Sequence, residues 1–598
     1  MNRFDPILDQ PQSIELEEAD PTVRTRLANP DLYFDVDART DLLDLVWPWA
    51  DALYARSLRL LITDPQHEEL TAMVTRYYPS YQETILGSEG MIISKRLAAP
   101  LGTAYDRAVV WMLECQAEGD RLLRLDVDVD WGEPLTQRIV DGLLVAQRNP
   151  QGARGIYAQH NAESTRVFGN PQGRPTAYEL HADGRATLTY FILVNGIVEV
   201  PLLLTISDVG EQVAWNGFLG LRDTERAFEI SLEAWDRVLK TGRLWTSDPQ
   251  INRAVQAGRL ATLRCVQRLR SGLAPTGRRV ADVPGLVRSL DTFDVVQSRN
   301  LLAHLRRVAE RSAGKLPARL PIRPKDALEP PGVDTAAANA AYLTAFQEHL
   351  QRHPNGDLLA EHYAALAACA ETLVQLRLDP QHQADAATLA VCGAGLRRAV
   401  TLATLHKDGV NAVRWESEAC ELERLAEEGG APAPPAPLEL AQWAAQSGWQ
   451  MDSARPWGFA DPLLGAALAG LAVWSGCGIQ RRNGKLTVNP RRGNPWQWWA
   501  LLDLPLDDGR ISLVWDGATL YATQPVDSDQ PVQLCSKIRA LKTDELDFDL
   551  QFELVLSVDG DGAPEHSAPE HGAPEHSAPE RRIFHPEFER ASRPAIAS

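Results

Sequence analysis

Carboxylates that open helices or join them are the side chains in this sequence with the most chemical promise. Two carboxyl groups facing across a sugar-sized gap can cleave a glycosidic bond, with inversion at a separation of about 6.5–9.5 Å and retention at about 5–5.5 Å. Ser289–Asn300, SLDTFDVVQSRN, offers Asp291, Asp294, Arg299 and Asn300 around Phe293. Its plainer reading is a helix cap at Asp291 with a solvated face beyond it. Leu320–Asp334, LPIRPKDALEPPGVD, is a long Pro-rich loop with Arg323, Lys325, Asp326 and Glu329. An Asp beside Arg and Lys has its charged form favoured, which suits a base better than an acid; a surface connector is the competing reading. Glu361-His362-Tyr363 falls on a regular helical pattern, with His362 on the apolar stripe itself, a place for a core histidine. Arg414-Trp415-Glu416-Ser417-Glu418 begins an acidic run at helical spacing, the mark of a solvated outer face.

Other chemistry finds little support. Asp126, Asp128 and Asp130 sit in LRLDVDVDW, where apolar and charged residues alternate. Strand side chains two apart form a flat row, a poor cage for a cation, so a wet strand face is expected and no metal site. No zinc spacing, phosphate loop, nucleophile elbow or dinucleotide fingerprint occurs in a supporting context, so no cofactor is expected. The seven Cys form no CxxC pair and sit mostly in apolar runs. With an acidic N-terminus lacking an apolar stretch, they point to a reducing, cytoplasmic setting. The chain has 598 residues and a formal charge of −20, which disfavours nucleic acid or an anionic membrane as partner. The most apolar run, Pro462–Trp474, is too short to span a bilayer. Neutral partners such as sugars stay open, and 16 Trp could supply sugar platforms as well as core.

The elements that must position these residues follow in order. Residues 1–35 read as a polar lead-in, and Leu42–Leu61 has helical spacing interrupted at Pro48. From Met91 the period is two, through MIISKRL, RAVVWMLECQ, LRLDVDVDW, RIVDGLLVAQ and GIYAQ. ATLTYFILV-Asn195-Gly196-IVEVPLLLTI reads as a hairpin with an Asn-Gly turn, and AWNGFLGL and AFEISLEAW as closing strands. In Gly242–Arg270, Trp245-Thr246-Ser247-Asp248-Pro249 joins strand to helix, with Ser247 or Asp248 as cap and Pro249 in the first turn. Helical patterns follow at Val283–Arg311, Thr335–Leu350, Asp357–Leu376, Ala386–Leu405, Asn411–Glu428, Leu438–Gln446 and from Asp461-Pro462. Strands return from Lys485, with an Asp516-Gly517 turn, and Gly562–Glu580 is a low-complexity repeat expected to be disordered. The domains expected are a lead-in with helices at 1–90, a β-sandwich at 91–238, a helical toroid at 239–478, a β-module at 479–558 and a tail at 559–598.

This order, and the join Leu244-Trp245-Thr246-Ser247-Asp248-Pro249-Gln250-Ile251-Asn252 in particular, resembles the toroid glycoside hydrolases and phosphorylases, closest in style to α-L-rhamnosidase-like and glycogen-debranching-type enzymes. The closing helix Asp461–Trp474 followed by Leu486-Thr487-Val488-Asn489-Pro490 is similar too. The resemblance implies an N-terminal antiparallel β-sandwich, a central α/α toroid of helical hairpins and a small C-terminal β-module. It implies a carbohydrate substrate, and a glycosidase with Asp326 or Asp294 as one carboxylate and Glu361 as the other. Arg299, Asn300, Arg323, Lys325 and His362 would then bind substrate. Two departures set up the alternative of a non-enzymatic binding or scaffold protein. About eight or nine helices follow the join where the family toroid has twelve, and the family's acidic motif is not found.

Overall fold

The computed structural model describes residues 14–16, 23–64, 70–148, 164–328, 333–378, 385–431, 461–482, 485–488, 496–506, 509–515 and 520–523. Strands β1 (Ile14–Leu16), β2 (Arg24–Ala28), β3 (Tyr33–Asp37), β4 (Leu42–Trp47), β5 (Ala52–Thr63), β6 (Thr71–Tyr77), β7 (Tyr81–Ser88), β8 (Met91–Ala98), β9 (Ala108–Asp130), β10 (Thr136–Val140), β11 (Leu143–Gln147), β12 (Thr165–Gly169), β13 (Ala177–Leu180) and β14 (Arg185–Ser207) form one antiparallel sheet. Its spine is β9 with β14, 23 residues each, paired from Ala108–Thr205 to Asp130–Arg185. The first half of β9 also pairs β8 and the second half pairs β5, so two lobes grow from one ribbon. Side chains of both lobes, among them Phe34, Leu58, Trp111, Val127 and Leu204, share one core, as in a sandwich. On β9, Leu123, Leu125, Val127 and Val129 point inward, while Asp126 and Asp128 accept hydrogen bonds from Thr189 and Thr187.

Four expectations change here. Leu42–Leu61 is not helical: Pro48 sits in the turn between β4 and β5, with Ala50 N bonded to Trp47 O and Asp51 at φ 51°. Helical spacing misleads because β5 buries one adjacent pair, Tyr54 and Ala55, before it buries alternate residues. The sheet domain therefore begins well before residue 91. Asn195-Gly196 makes no hairpin. Gly196 (φ 73°) instead pairs with Ala117 past a bulge in which Asn195 faces the three residues 118–120, Gly119 (φ 94°) at their centre, and both long strands continue. AWNGFLGL and AFEISLEAW lie on helices α1 (Glu211–Gly220) and α2 (Thr224–Lys240). In α2 the alternation of Phe228, Ile230 and Leu232 is overruled by a helical stripe, Ala227, Ser231 and Trp235, which is what becomes buried.

The join is a brace rather than a plain linker. β15 (Arg243–Thr246) pairs with β16 (Trp499–Leu506), which continues to β17 (Gly509–Trp515) and β18 (Leu520–Thr523). The sequence thus inserts its first strand of the C-terminal module before the helices. Asn252, in the first turn of α3 (Pro249–Cys265), accepts from Thr246 N at 2.6 Å and donates to Thr246 O at 2.9 Å. Ser247 Oγ accepts from Gln497 N at 2.8 Å. The SDPxIN residues are structural: Ser247, Asp248 and Asn252 satisfy backbone groups where strand, helix and module meet, and Ile251 is buried.

The helical layer adds α4 (Val283–Leu290), α5 (Val295–Arg311), α6 (Val333–Arg352), α7 (Gly356–Leu378), α8 (Ala386–Leu405), α9 (Gly409–Glu428) and α10 (Pro462–Leu471). Asp294, Asp385, Asp408 and Asp461 accept backbone N–H groups at the openings of α5, α8, α9 and α10. Helices α10, α4, α6 and α8 are neighbours in that order and run parallel. Gly285 meets Ala467 and Gly470 meets Ser289; Arg288 bonds Glu348; Ala340 meets Gly395 and Gln347 bonds Arg398. A Cβ at Gly470 would come within 2.7 Å of Ser289 N, so this close approach requires glycine. α5, α7 and α9 return antiparallel on the outside, the hairpin plan of a toroid. The inner helices pack without a gap along α6: of its residues Asp334–Arg352, only Asp334 and Gln351 are exposed. α8 is long and apolar enough to cross a membrane, and here it packs on α6, α7 and α9. GIYAQ, Leu438–Gln446, Asp516-Gly517, Glu329 and the residue 559–598 repeat lie outside the described residues.

Candidate functional site

The N-terminal ends of the inner helices are edged by two loops stitched together by backbone bonds. Ser271 N donates to Ile322 O, Val280 N to Ala318 O and Leu320 N to Arg278 O. This rim meets loops of the large sheet, with Arg268 N donating to Pro30 O and Arg268 pairing with Asp31 at 3.1 Å. Between rim and sheet lies a cavity of about 350 Å³. The rim contributes Arg270 and Arg323; the sheet contributes the Ala50–Tyr54 corner, Trp131–Glu133, Arg148, Ser164 and Asp208.

The sheet side is held rigid by one buried guanidinium. Arg166, fully buried on β12, donates to Tyr54 O at 2.9 Å, to Ser164 O at 2.9 Å and to Glu133 Oε1 at 2.9 Å. It stacks on Tyr54, 4.4 Å from the ring centre. Burial lowers its proton affinity, and Tyr54 and Glu133 oppose that. The other oxygen of Glu133 accepts from Arg148 Nε at 2.9 Å. Across the cavity Arg270 donates to Asp208 at 2.5 Å. Glu133 and Asp208 are thus ion-paired to arginines, with lone pairs left to accept from hydroxyl groups. Asp51 has positive φ and makes no ion pair among the described residues.

The sequence candidates are scattered around this geometry. Arg323 lines the cavity, and Asp326 shapes its loop: Asp326 Oδ2 accepts from Arg323 N at 2.8 Å, and Arg311 donates to the carbonyls of Pro324 and Asp326. Lys325 is exposed on the same loop. Asp294 caps the opposite end of α5, with roughly 25 Å of 17-residue helix between it and the Asp326 loop, too far to pair. Burial raises the pKa of Asp294 against the hydrogen bonds of its capping role. Arg299 is half-buried and Asn300 exposed on α5, also away from the rim. Glu361 lies on the outer helix α7, half exposed and paired with Arg306 at 2.9 Å. His362 is buried: its Nδ1 meets Tyr342 Oη at 2.8 Å, Phe346 stacks on its ring, and burial lowers its pKa to about 3. It is a core histidine and not a substrate ligand, because a neutral ring with no solvent access cannot meet a sugar.

Sequence reading passed over the sheet half of the cavity. Asp51, Glu133, Arg148 and Asp208 lie at strand ends and turns, where only loop chemistry marks them. It also read Asp291 as a cap. Asp291 is instead fully buried at the far end of the inner helices, accepting from His349 Nδ1 at 2.7 Å, Ser298 Oγ at 2.7 Å and Arg352 at 3.1 Å. Although burial opposes it, the hydrogen bond from His349 and the nearby Arg352 guanidinium hold the carboxyl well below its ordinary range. Glu348 beside it, paired with Arg288 and Arg352, is held down to about 2 despite its burial. Among the described residues no cluster of three or more His, Cys, Asp or Glu could hold a metal ion.

No protein-family model matches the chain, and no curated protein matches it. Solved structures do. A human-microbiome protein assigned as a kojibiose phosphorylase aligns with a TM-score of 0.54 at 7% identity, over 88% of this chain and 90% of that one. A bacterial glucoamylase in complex with acarbose aligns at 0.47 with 13% identity, over 68% and 67%. A GH78 rhamnosidase of a Bacillus species aligns at 0.39 with 12% identity, over 72% and 54%. The first alignment spans nearly the whole of both chains and carries the architecture described above: large antiparallel sheet, helical hairpins, small closing sheet. The chain has the fold of the toroid glycosidase type.

Proposed function

We propose that this protein is carbohydrate-active and that it handles its sugar in the cavity between the rim and the large sheet. The carrying observation is that cavity. It lies at the junction of two layers and is lined by arginines and carboxyl groups that suit a polyhydroxylated ligand. The whole-chain fold likeness to a protein assigned as a kojibiose phosphorylase supports the same class of ligand.

Cleavage of a glycosidic bond is the enzymatic form of this reading. Two carboxylates that no arginine side chain holds, Asp51 on the sheet side and Asp326 at the rim, are the pair we assign to it, in place of Asp326 with Glu361 or Asp294. The test is product release from a panel of α- and β-linked disaccharides and aryl glycosides, with and without phosphate. Turnover that survives both Asp51→Asn and Asp326→Asn would remove the assignment.

Binding without turnover is a second reading, and two observations favour it. Glu133 and Asp208 are ion-paired to arginines, and α6 is covered along nearly all of its described residues. Sugar binding by titration calorimetry together with no product from any glycoside would establish it over the first.

A further inference from the structure

One lysine sits among the apolar side chains of the sandwich core. On β8, Lys95 lies between Ile93 and Leu97, both fully buried, and its neighbours on the adjoining strands are the buried Thr84 and Leu113. Its own side chain is 1% exposed. It reaches from one lobe toward the other, where Nζ donates to Asp41 Oδ1 in the turn between β3 and β4. That side chain is 10% exposed, and its Oδ1 also accepts from Leu60 N at 3.1 Å. An ammonium has three N–H donors, and Asp41 is the one side chain that accepts from Lys95 among the described residues. Two donors of a buried cation therefore go unmet, which is costly. Transfer of one proton to Asp41 leaves a neutral amine beside a neutral acid, the form that a dry site favours. A second carboxyl stands at the same turn: Asp37 Oδ1 accepts from Asp41 N and from Arg39 N, each at 2.9 Å. Burial, and then the charge of Asp41, raise the pKa of Asp37, which suits it to take up and release a proton.

We propose that Lys95 and Asp41 condense to an isopeptide bond, so that the folded protein carries a covalent tie between the two lobes of its sheet domain. The amine nitrogen of Lys95 attacks Asp41 Cγ. The N–Cγ bond forms, one Cγ–O bond breaks, and one water leaves. One cation and one anion become a neutral amide. Nothing is oxidised or reduced, and no co-reactant enters. Asp37 is the group assigned to carry the proton from the nitrogen to the departing oxygen. The fold supplies the rest, because holding amine and carboxyl together replaces an encounter in solution. The amide keeps an oxygen for Leu60 N and has one N–H to satisfy where the ammonium had three. The link closes the chain between residues 41 and 95 and so restricts its unfolded states. This inference stands apart from the sugar reading.

The test is mass spectrometry of the full chain in denaturant, as intact mass and as a tryptic map. The expected mass is one water below that of the sequence. Trypsin does not cut after an acylated lysine, so the map should hold a branched peptide, Thr40–Arg56 joined to Tyr77–Arg96. A full sequence mass, with Asp41 and Lys95 in separate linear peptides, would overturn the proposal. A lost water that maps elsewhere, for example to a succinimide at Asp516-Gly517, would overturn it too. Lys95→Met should carry its full sequence mass, and the wild-type map decides the matter even if that variant does not fold. Asp37→Asn keeps both reacting groups and an oxygen to accept from Asp41 N. It should give a mixture of linked and unlinked chains in which the linked fraction rises with time. Complete linkage in freshly made Asp37→Asn would remove Asp37 from the step.

Discussion

At one end of the parallel helices α10, α4 and α6, arginines and carboxylates surround a cavity of about 350 Å³. At the other end, Asp291, Glu348, Arg288, Arg352, His349 and His353 fill the space between α4 and α6, with Arg352 stacked 5.3 Å from the Trp474 ring. The residue types are nearly the same. At the packed end Asp291 and His349 are wholly buried and their mutual bonds are short, so every charge is spent on another within the protein. At the open end, Arg323 and Asp51 make no ion pair among the described residues, and there is room beside them. Acid–base residues in a cluster mark a site only where something is left over to act on a ligand; otherwise they tie helices together.

The largest effect that would break this contrast is at Asp291. Asp291→Ala leaves His349 and Arg352 buried without their anion and should cost about 3–5 kcal/mol of stability in urea unfolding. A midpoint within error of wild type would mean that the packed cluster ties nothing. Next comes Arg270→Met, which leaves the nearly buried Asp208 unpaired. It should cost about 1–3 kcal/mol and weaken sugar binding in the same protein, whereas Asp291→Asn in molecules that still fold should leave binding unchanged.

The packed end also predicts acid sensitivity. Burial lowers His353 and, on α5, His304 from 6.5 to about 4, so between those values the unfolded chain takes up protons that the folded chain refuses. Stability should be full above pH 6.5 and fall as pH drops toward 4. Glu348, held at about 2 against an ordinary 4.5, extends the loss below pH 4.5. Urea midpoints followed from pH 8 to pH 4 measure this, and His353→Gln should flatten the upper part of the slope. The smallest effect is expected at Glu361→Gln, where a half-exposed ion pair is lost: about 0.5 kcal/mol or less, and no change in sugar handling.

Much of the fold could be read locally. The helices from Val283 to Glu428 show three- and four-residue steps, and Asp385, Asp408 and Asp461 sit where caps belong. Local reading failed where two periods coexist, as in α2, or where a strand buries adjacent residues, as in β5. It failed again at Asn195-Gly196, where the same positive φ serves a turn or a bulge and only the partner strand, with Gly119 opposite, selects the bulge. For the site, sequence reading found the Leu320–Asp334 loop and so Arg323, but not its sheet-side partners.

By itself, then, the sequence determined the helices from Val283 to Glu428 and the one opened by Asp461, and that sheet, hairpins and closing module follow in that order. Those features rest on neighbours a few residues apart. Only the tertiary structure decided that Asp51, Glu133 and Asp208 share a cavity with Arg270 and Arg323, that Asp294 and Asp326 belong to opposite ends of one helix, and that Asp291 is buried cement. These depend on contacts tens to hundreds of residues apart, set by glycine-close packing of the inner helices and the pairing of two long strands. No local spacing encodes them.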